Sequence, residues 1–549
     1  MFSVTLTKRE LYDLECLLLG AFSPLKGFLR EKDYFSVLQN MRLSSGELWP
    51  IPVTLSVTDR DAIKDGDTVL LKDPQGIPLA ELQAVEIYKP EPHYEALSIF
   101  GSDDTNHPFV AHLLRDEEYW YVGGELKALR LPPHYDFLQY RCSAEESRQW
   151  LKDNGWYTVV GFQTRNPMHR SHYHLTRYAM EQAGPDSKLL LTPAVGPTQV
   201  CDVDYPTRVK GYIALLQNYP PESVRLVLLP LAMRMAGPRE ALLHSLVRAN
   251  YGCSHFVVGR DHAGPSYKKK DGSSFYEPYA AQELLKQHAN DLPIKIITSV
   301  QIVYVKELQE YRPITEVPEE MTVMNISGTQ QREILESGEP LPEWFTFPAV
   351  SAGLVKRYPP KHKQGLCIYF VGLSGAGKST LANFLIQKLG EMVSRRVTLL
   401  DGDIVRLNLC KGLGFTKEDR STNVRRVGWT ASEIVKHGGI CICSTIAPYQ
   451  EDRLANRRRI STWGNYVEVW VKTCIEKCEE RDIKGLYKLA REGKITNFTG
   501  ITDPFETPTP ELILCGDSID KIDNNITQII EYLQNNGLLI NELTISCDF

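Results

Sequence analysis

The stretch Leu366 to Thr380, LCIYFVGLSGAGKST, joins a short apolar run to a glycine-rich turn and the beginning of a helix-type sequence. The turn matches the pattern G-x-x-x-x-G-K-[ST] in full. Glycines suit such a turn because successive backbone N–H groups must converge on one anion, a curvature that side chains would block. A chance glycine-rich turn would not explain why strand, loop and helix follow in the required order. We therefore predict a phosphate-binding loop made of Gly372, Leu373, Ser374, Gly375, Ala376, Gly377, Lys378, Ser379 and Thr380.

The residues of this loop and of the next strand predict a site for a magnesium nucleotide. Lys378 would reach the outer phosphates of ATP, and the Ser379 hydroxyl would coordinate Mg²⁺. The following run, RRVTLLDGDIVR, is a strand that ends in Asp401 and Asp403. These carboxylates could reach the metal or accept a proton from an attacking hydroxyl, although DGD is also good turn chemistry. No NKxD element is present, which argues against a GTPase.

The chain before the loop has a second region of alternating strand and helix patterns. From about His134, the apolar runs WYTVVGF, KLLLTPAV, VRLVLLPL and HFVVG are separated by helix-type sequence. This alternation predicts a parallel sheet covered on both faces, with ligands beyond the carboxyl ends of its strands. Before it, the runs WPIPVTLSV, DTVLLKD and IPLAELQAVEIY predict a mostly β domain.

Polar side chains follow three of the predicted parallel strands and indicate an anion site. His169 and His172 stand three residues apart, so they would share one face of a helix turn. They could ligate a metal, bind phosphate, or cap the helix, and we favour phosphate because no third metal ligand has diagnostic spacing. Arg234 follows another strand. The remaining members of the three groups are Gln163, Arg165, Asn166, Arg260, Asp261, His262 and Ala263.

Composition limits the class of protein. The chain has 549 residues, a length that predicts three or four domains. Of these residues 42% are hydrophobic and 24% charged, values typical of a globular protein. No apolar run has the length of a membrane span, and the first residues lack the uninterrupted core of a secretory signal. The twelve cysteines lack paired zinc-type spacings, and a net charge of −6 argues against a nucleic-acid partner. We predict a cytoplasmic protein with no membrane or nucleic-acid partner.

The segments QTRNPMHRSH, LAMRMAGPRE and GRDHAGP resemble the signatures of the ATP sulfurylase (sulfate adenylyltransferase) family. The resemblance extends to GAFSPLKGFL and to ISGTQQREILESGEPLPEWF, and so covers roughly residues 1–355. It implies that ATP and sulfate give adenosine phosphosulfate (APS) and pyrophosphate, with Mg²⁺ on the nucleotide. By this family's pattern, Gln163, Arg165 and the backbone at Ala263 would hold sulfate. The nucleotide would contact Asn166, His169, His172, Arg260, Asp261, His262 and Val323, with Arg165, His169, His172 and Arg260 as catalytic residues.

The segments after the phosphate-binding loop resemble APS kinase over nearly all of residues 365–549. That family phosphorylates the ribose 3′-hydroxyl of APS. The resemblance implies that Asp403 is a base or magnesium ligand and that Lys378 is catalytic. The APS-binding residues would be Asp401, Asp403, Arg406, Phe415, Arg420, Asn423, Ile446, Lys484 and Phe498, with Phe498 stacking on adenine and Lys484 in a lid. One departure is Ala447, where the family commonly has serine.

Together the two resemblances imply a fusion of the PAPS synthase type. The kinase would consume APS and pull forward an unfavourable first step, giving 3′-phosphoadenosine phosphosulfate (PAPS). Two alternatives remain. In one, the kinase-like domain has lost activity and serves as an allosteric receptor for PAPS; in the other, the first reaction runs toward ATP in sulfur oxidation. The presence of Lys378 and Ser379 favours an active kinase.

The expected architecture is a multidomain α/β protein, and the resemblances also imply a homo-oligomer. The predicted parts are a mostly β (PUA-like) domain at 1–133, a Rossmann-like nucleotidyl transferase domain at 134–310, a small α/β subdomain at 311–355, a linker at 356–364 and a P-loop kinase domain at 365–549.

Overall fold

The computed structural model describes residues 2–199 and 202–541. The chain divides into two compact units, one made of Met1–Ser327 with Leu341–Leu354 and the other of Gly328–Pro340 with Val355–Phe549. The domain boundaries predicted above remain predictions. Within the described ranges, no helix is both long and apolar enough to cross a bilayer.

The first unit begins with a six-stranded sheet accompanied by four helices. The strand order is β1-β4-β5-β6-β2, with β3 also paired to β6, and all pairs except β1 with β4 are antiparallel. Numbered in chain order, these elements are β1 (Ser3–Thr5), α1 (Lys8–Leu18), β2 (Gly27–Phe28), α2 (Glu31–Asn40), β3 (Ser56–Val57), β4 (Val69–Lys72), β5 (Pro78–Tyr88), α3 (Pro92–Phe100), α4 (Pro108–Leu113) and β6 (Trp120–Ala128).

The predicted strand WPIPVTLSV forms a ladder only at its end, over Ser56–Val57. Pro50 and Pro52 have no N–H to donate, so this stretch cannot pair as a regular strand. Its carbonyls nevertheless accept bonds, since Leu29 N–H donates to Val53 O at 3.0 Å. The segment is therefore extended and buried without being a full strand.

The second part of the first unit is a parallel five-stranded sheet with order β11-β10-β7-β8-β9. The alternation predicted from about His134 onward is confirmed. Helices α6 and α8 contact this sheet. Its elements are α5 (Ala144–Asp153), β7 (Val159–Phe162), α6 (Arg170–Ala183), β8 (Lys188–Leu191), α7 (Tyr205–Leu216), β9 (Val224–Leu226), α8 (Gly237–Asn250), β10 (His255–Val258), α9 (Ala280–Gln287) and β11 (Lys295–Thr298).

A small antiparallel sheet with order β13-β12-β14 follows. Its strands and the two helices after it are β12 (Ile302–Val305), β13 (Glu310–Pro313), β14 (Val323–Met324), α10 (Gly328–Ser337) and α11 (Pro348–Arg357). Short 3₁₀ turns lie at Leu138–Tyr140, Ile314–Glu316, Lys361–Lys363 and Ile519–Lys521.

The second unit contains a parallel five-stranded sheet of order β16-β17-β15-β18-β19. Side chains of its central strand alternate between two cores, with Leu366 and Ile368 on the face covered by α12 and α18, and Cys367 and Tyr369 on the face covered by α14. The elements are β15 (Leu366–Val371), α12 (Lys378–Met392), β16 (Val397–Asp401), α13 (Gly402–Leu407), α14 (Lys417–Lys436), β17 (Ile440–Ser444), α15 (Gln450–Ser461), β18 (Asn465–Lys472), α16 (Ile475–Arg481), α17 (Leu486–Arg491), β19 (Leu512–Cys515) and α18 (Ile522–Asn535).

Candidate active sites

A pocket of about 320 Å³ lies at the carboxyl ends of β7 and β10. Because parallel strands end at one edge of their sheet, groups that are far apart in sequence meet there. Residues from two of the three predicted polar groups line it. These residues are Gln163, Arg165, Asn166, His172, Arg260, Asp261, His262 and Ala263.

The backbone after β10 has an uncommon conformation at this pocket. Asp261 and Ala263 have φ angles of 53° and 56°, in the left-handed region that non-glycine residues seldom adopt. Such conformations cost free energy and persist where the surrounding structure requires them, often at functional sites. The strained turn is consistent with a backbone shaped to present its own groups to a ligand.

Two partners of the Arg165 guanidinium lie among the residues that the structure describes. Its Nη1 donates to both carboxylate oxygens of Asp202 at 2.8 Å, and its Nη2 donates to Gly264 O at 3.2 Å. Asp202 was not predicted as a site residue. Its only sequence signal is an acidic position 37 residues after the arginine, in a loop without a regular pattern. An incoming anion would therefore compete with Asp202 for Arg165.

The two histidines of the predicted pair have different surroundings. His172 lines the pocket, and its Nδ1 accepts the backbone N–H of His169 at 3.2 Å. Burial lowers the pKa of His172 to about 4, so its imidazole is neutral near pH 7. His169 stacks on Phe345 with ring centroids 4.3 Å apart, and its Nδ1 lies 2.9 Å from Thr346 Oγ1. Helix capping and pocket lining are thus combined in one turn.

Some predicted residues lie outside this pocket. His169 and Val323 are absent from its lining, and Val323 is an exposed residue of β14 paired with Val305. Arg234 is buried, and its Nη2 donates to both carboxylate oxygens of Asp13 at 2.8 Å. Among the described residues, no group of three or more His, Cys, Asp and Glu side chains is arranged to hold a metal.

A second pocket, of about 580 Å³, surrounds the predicted phosphate-binding loop. Gly375 and Gly377 have φ angles of 74° and 101°, which L side chains rarely adopt, so the loop requires glycine at both positions. The predicted residues that line this pocket are Ser374, Gly375, Ala376, Gly377, Lys378, Ser379, Thr380, Asp401, Asp403, Arg406, Phe415, Arg420, Asn423, Ile446 and Lys484. Gly372, Leu373 and Phe498 are not among its lining residues.

Lys378 is nearly buried beneath the loop. Its Nζ donates to Leu373 O at 2.7 Å, and burial lowers its pKa to about 8, against the opposing effect of nearby acidic groups such as Asp401. A nucleotide phosphate would replace the carbonyl as partner of this ammonium and favour its charged form.

Oxygen atoms that suit Mg²⁺ lie beside Lys378. Ser379 Oγ donates to Asp401 Oδ2 at 2.6 Å, and Asp401 Oδ1 accepts the backbone N–H of Asp403 at 3.0 Å. Hydroxyl and carboxylate oxygens are the ligands that this hard cation prefers, so the residues present fit a magnesium nucleotide. The carboxylate nearest Ser379 is therefore Asp401, while Asp403 forms an ion pair with Lys484. Asp403 as a metal ligand stays a prediction.

Part of the lining of the second pocket is aromatic and cationic. Phe415 is half exposed, and the guanidinium carbons of Arg406 and Arg420 lie 4.4 Å and 5.5 Å from its ring centroid. Phe498 is instead buried in an edge-to-face contact with Tyr487, at a centroid distance of 4.8 Å. Tyr487 in turn donates its hydroxyl to Ser374 O at 2.8 Å. The stacking of Phe498 on adenine stays a prediction; in this structure the Phe498 ring packs on Tyr487, which contacts the loop.

Two further features of the second pocket concern its backbone. Ala447, the departure from the family pattern, has a φ angle of 45° and is buried, and its carbonyl accepts from Arg453 Nη1 at 2.7 Å. Arg481, which was not predicted, donates to Gly375 O at 3.0 Å and to Gly516 O at 2.6 Å. Its signal is a basic residue at the end of α16, but only the fold brings that end to the loop.

Three family models match successive parts of the chain. They are a PUA-like domain over residues 1–131, ATP-sulfurylase over 138–357 and adenylylsulphate kinase over 364–515. The fold class predicted from the sequence is confirmed by these matches.

Similar proteins span nearly the whole chain. The sulfate adenylyltransferase of Gibberella zeae is 43% identical over 546 residues, which cover 98% of this chain and 94% of that protein. The sulfate adenylyltransferase of Aspergillus fumigatus is 41% identical, with coverage of 97% and 94%. A solved structure described as a hexameric APS kinase from Thiobacillus denitrificans matches with a TM-score of 0.79 and 32% identity, covering 98% of this chain and 94% of that one. The chain therefore belongs to the sulfate adenylyltransferase family of transferases, and it joins an ATP-sulfurylase domain to an adenylylsulfate kinase domain that together serve sulfate activation.

Proposed function

We propose that this enzyme makes PAPS from sulfate and two molecules of ATP. In the first pocket a sulfate oxygen attacks the α-phosphorus of ATP, the bond to pyrophosphate breaks, and APS forms. In the second pocket the ribose 3′-oxygen of APS attacks the γ-phosphorus of another ATP, giving PAPS, ADP and a proton. The observation that carries the proposal is the presence, in one chain, of two separate pockets that each gather cationic groups at the carboxyl end of a parallel sheet.

For the first reaction, the side chains must bring two anions together. Arg165 has planar donors that stay charged and match a tetrahedral oxyanion, so it suits sulfate once the anion displaces Asp202. Gln163 and the backbone at Ala263 would complete that subsite. Arg260 is about half exposed and can turn toward phosphates. Placement in line with the α-phosphorus and neutralisation of the departing pyrophosphate are the main contributions expected.

For the second reaction, the loop residues would hold the triphosphate and Asp403 would receive the 3′-hydroxyl proton. The ion pair between Asp403 and Lys484 must open or shift for this to happen. Lys378 would neutralise charge on the transferred phosphoryl group. Mg²⁺ bound with ATP would neutralise charge on the phosphates, held through Ser379 with Asp401 or Asp403. Arg406, Phe415, Arg420 and Asn423 would bind APS.

The direction of the first step follows from its chemistry in this proposal. The phosphosulfate anhydride is energetic, so the equilibrium favours ATP and sulfate unless APS or pyrophosphate is removed. A kinase on the same chain removes APS, which favours synthesis over the alternative of ATP formation in sulfur oxidation. Incubating the enzyme with ATP and labelled sulfate, with and without pyrophosphatase, tests this. PAPS is expected in both cases, with more when pyrophosphatase is present; accumulation of APS alone would contradict the proposal.

A second candidate function is that the kinase-like domain is a receptor for PAPS. It is favoured by one observation, that the similar full-length proteins from Gibberella zeae and Aspergillus fumigatus are named only for the first activity. The intact loop argues the other way, since a receptor needs neither Lys378 nor the Ser379 hydroxyl. Measuring ADP release from purified APS and ATP separates the two, because the receptor requires none.

We also propose a homo-oligomer in the cytoplasm. The solved structure that matches along 98% of the chain is described as hexameric, which supports assembly into an oligomer. Light scattering of the purified protein would measure the number of subunits.

A further inference from the structure

Helix α8 carries three polar side chains at every fourth position, Glu240, His244 and Arg248. Residues four apart lie on one face of a helix, so the three form a single stripe. All three are fully buried, at 0% exposure. Charged groups are seldom buried to this extent unless they are paired or bound to something. The stripe therefore needs an explanation, and the mechanism above does not use it.

Arg248, at one end of the stripe, contacts Gln163, a residue that lines the first pocket. Its Nη2 donates to Gln163 Oε1 and, at 2.8 Å, to Thr192 O, while its Nε donates to Thr192 Oγ1 at 3.1 Å. Within residues 2–199 and 202–541, no carboxylate lies within ion-pairing distance of this guanidinium. Burial lowers the pKa of Arg248 to about 10, which still leaves it charged near pH 7.

This contact determines which end of the Gln163 amide faces the ligand. A guanidinium has only donors, so the amide must turn its oxygen toward Arg248. The Nε2 group then points away from Arg248, where it lies 3.6 Å from Met233 Sδ, and both Gln163 and Met233 line the pocket. Gln163 can thus offer N–H donors to an anion. Without Arg248 the amide could rotate and present its oxygen, which repels an anion.

The other two residues of the stripe are linked to the same pocket through His262. Glu240 accepts the backbone N–H groups of Arg234 at 2.7 Å and Ala236 at 3.0 Å. Burial raises the pKa of Glu240, but His244 and these contacts outweigh it and hold the pKa below its ordinary value. Its Oε1 lies 3.6 Å from His244 Nε2. His244 Nδ1 in turn lies 3.1 Å from Nε2 of His262, a pocket-lining residue.

This arrangement determines where the imidazole protons lie. A carboxylate beside His244 Nε2 favours a proton on that nitrogen, which leaves Nδ1 of a neutral ring as an acceptor. Burial lowers the pKa of both His244 and His262, which favours neutral rings. With this tautomer of His244, His262 Nε2 would be the donor across the 3.1 Å contact to His244 Nδ1, so α8 would influence both the ring orientation and the tautomer of His262.

We propose that Glu240, His244 and Arg248 are positioning residues for the adenylyl-transfer pocket, with Arg248 orienting the Gln163 amide toward sulfate and His244 orienting His262. This inference rests on the proposed function of the first pocket. Gly161 of β7 makes the arrangement feasible, since a Cβ there would lie 3.1 Å from Arg248 Cγ, so glycine allows α8 to approach the sheet.

A double-mutant cycle tests whether Arg248 acts through Gln163. Wild type, Arg248→Met, Gln163→Ala and the double variant are compared for the sulfate KM and for kcat of pyrophosphate release. We expect Arg248→Met to raise the sulfate KM about tenfold or more, which is the size of effect seen when the hydrogen-bond partners of metal ligands are removed. The substitution should have no further effect on the sulfate KM when Gln163 is already alanine. Arg248→Lys keeps the charge and a donor, so it should recover part of the loss.

Arg239 provides a matched control on the same helix. Its guanidinium donates to the carbonyls of Val37, Leu38 and Pro50, and it does not line the pocket. Arg239→Met should lower the melting temperature without changing the sulfate KM. If Arg248→Met is insoluble, the cycle is run with Arg248→Lys. A parallel cycle of His244→Asn with His262→Asn, measured through the ATP KM, tests whether His244 acts through His262.

The outcomes separate the possibilities. The inference is wrong, and the stripe purely structural, if the effects of the Arg248 and Gln163 substitutions on the sulfate KM multiply independently. The same holds if the sulfate KM follows melting temperature across all variants, including Arg239→Met. Wild-type enzyme that releases no pyrophosphate from ATP and sulfate would instead refute the proposed function. Circular dichroism and the melting temperature measure the folded state of every variant.

Discussion

Arg165 lies between a carboxylate and the space that an anion would occupy, so its effect on rate can be measured directly. Arg165→Ala should cost about 3 kcal/mol or more of transition-state stabilisation, roughly a hundredfold in kcat/KM for pyrophosphate release. The physical reason is the loss of fixed donors aimed at developing charge, together with the loss of the ion-pair partner of the nearly buried Asp202. Arg177→Ala, on α6 but outside the pocket lining, is the control. An unchanged rate for Arg165→Ala would defeat its assignment.

The titration of Lys378 predicts how ATP binding depends on pH. Its pKa of about 8 in the free protein means that it is largely neutral at pH 9, and triphosphate binding should raise that pKa. ATP binding should therefore take up close to one proton at pH 9, and affinity should fall up to about tenfold per pH unit above pH 8. Titration calorimetry in buffers of different ionisation enthalpy measures the uptake.

Lys378→Met is the control for that measurement, since a side chain that cannot titrate should abolish the buffer dependence at this site. Equal heats in all buffers for the wild-type protein at pH 9 would contradict a depressed lysine pKa.

Elements were predictable where a pattern within the element decides them. The parallel strands and the loop after β15 were found from short apolar runs and glycine spacing, because those features act over a few residues. At WPIPVTLSV the side-chain pattern predicts a longer strand than the one that forms, because Pro50 and Pro52 lack the N–H groups that a ladder needs. The stripe on α8 is not predictable from PREALLHSLVRANYG, because this is a continuous helical sequence and nothing local shows that its polar face is buried.

The fit of α8 against β7 predicts the effect of one methyl group. Gly161→Ala would place a Cβ 2.9 Å from Cys253 Sγ and 3.1 Å from Arg248 Cγ, so the Cys253 side chain must move and Arg248 must give way. We expect a loss of about 1–3 kcal/mol in the free energy of unfolding, together with a raised sulfate KM through Arg248. Denaturant unfolding and steady-state kinetics measure the two effects.

Gly211→Ala, in the middle of α7, is the matched control, because its Cβ would meet only Val350 Cγ1 at 4.0 Å. That change should be neutral or stabilising by up to about 1 kcal/mol. Equal effects of the two substitutions would show that crowding at Gly161 is not the cause.

At the scale of the whole molecule, two pockets on separate sheets predict separable activities. Lys378→Met should stop ADP formation from APS while preserving pyrophosphate release. Arg165→Ala should strongly lower pyrophosphate release while preserving ADP formation from APS. Mixing the two variants should restore PAPS synthesis, since APS can diffuse from one to the other. Loss of both activities in either single variant would contradict two independent catalytic sites.

The sequence by itself determined the phosphate-binding loop, the parallel sheets and most residues at their strand ends. These depend on backbone conformation and side-chain periodicity over short stretches of chain. Only the tertiary structure decided which groups those residues contact: Asp13 with Arg234, 221 positions apart, and Gln163 with Arg248, 85 apart. A contact of that kind requires two distant elements to pack in one register, and that register is set by the packing of a whole core rather than by either segment alone.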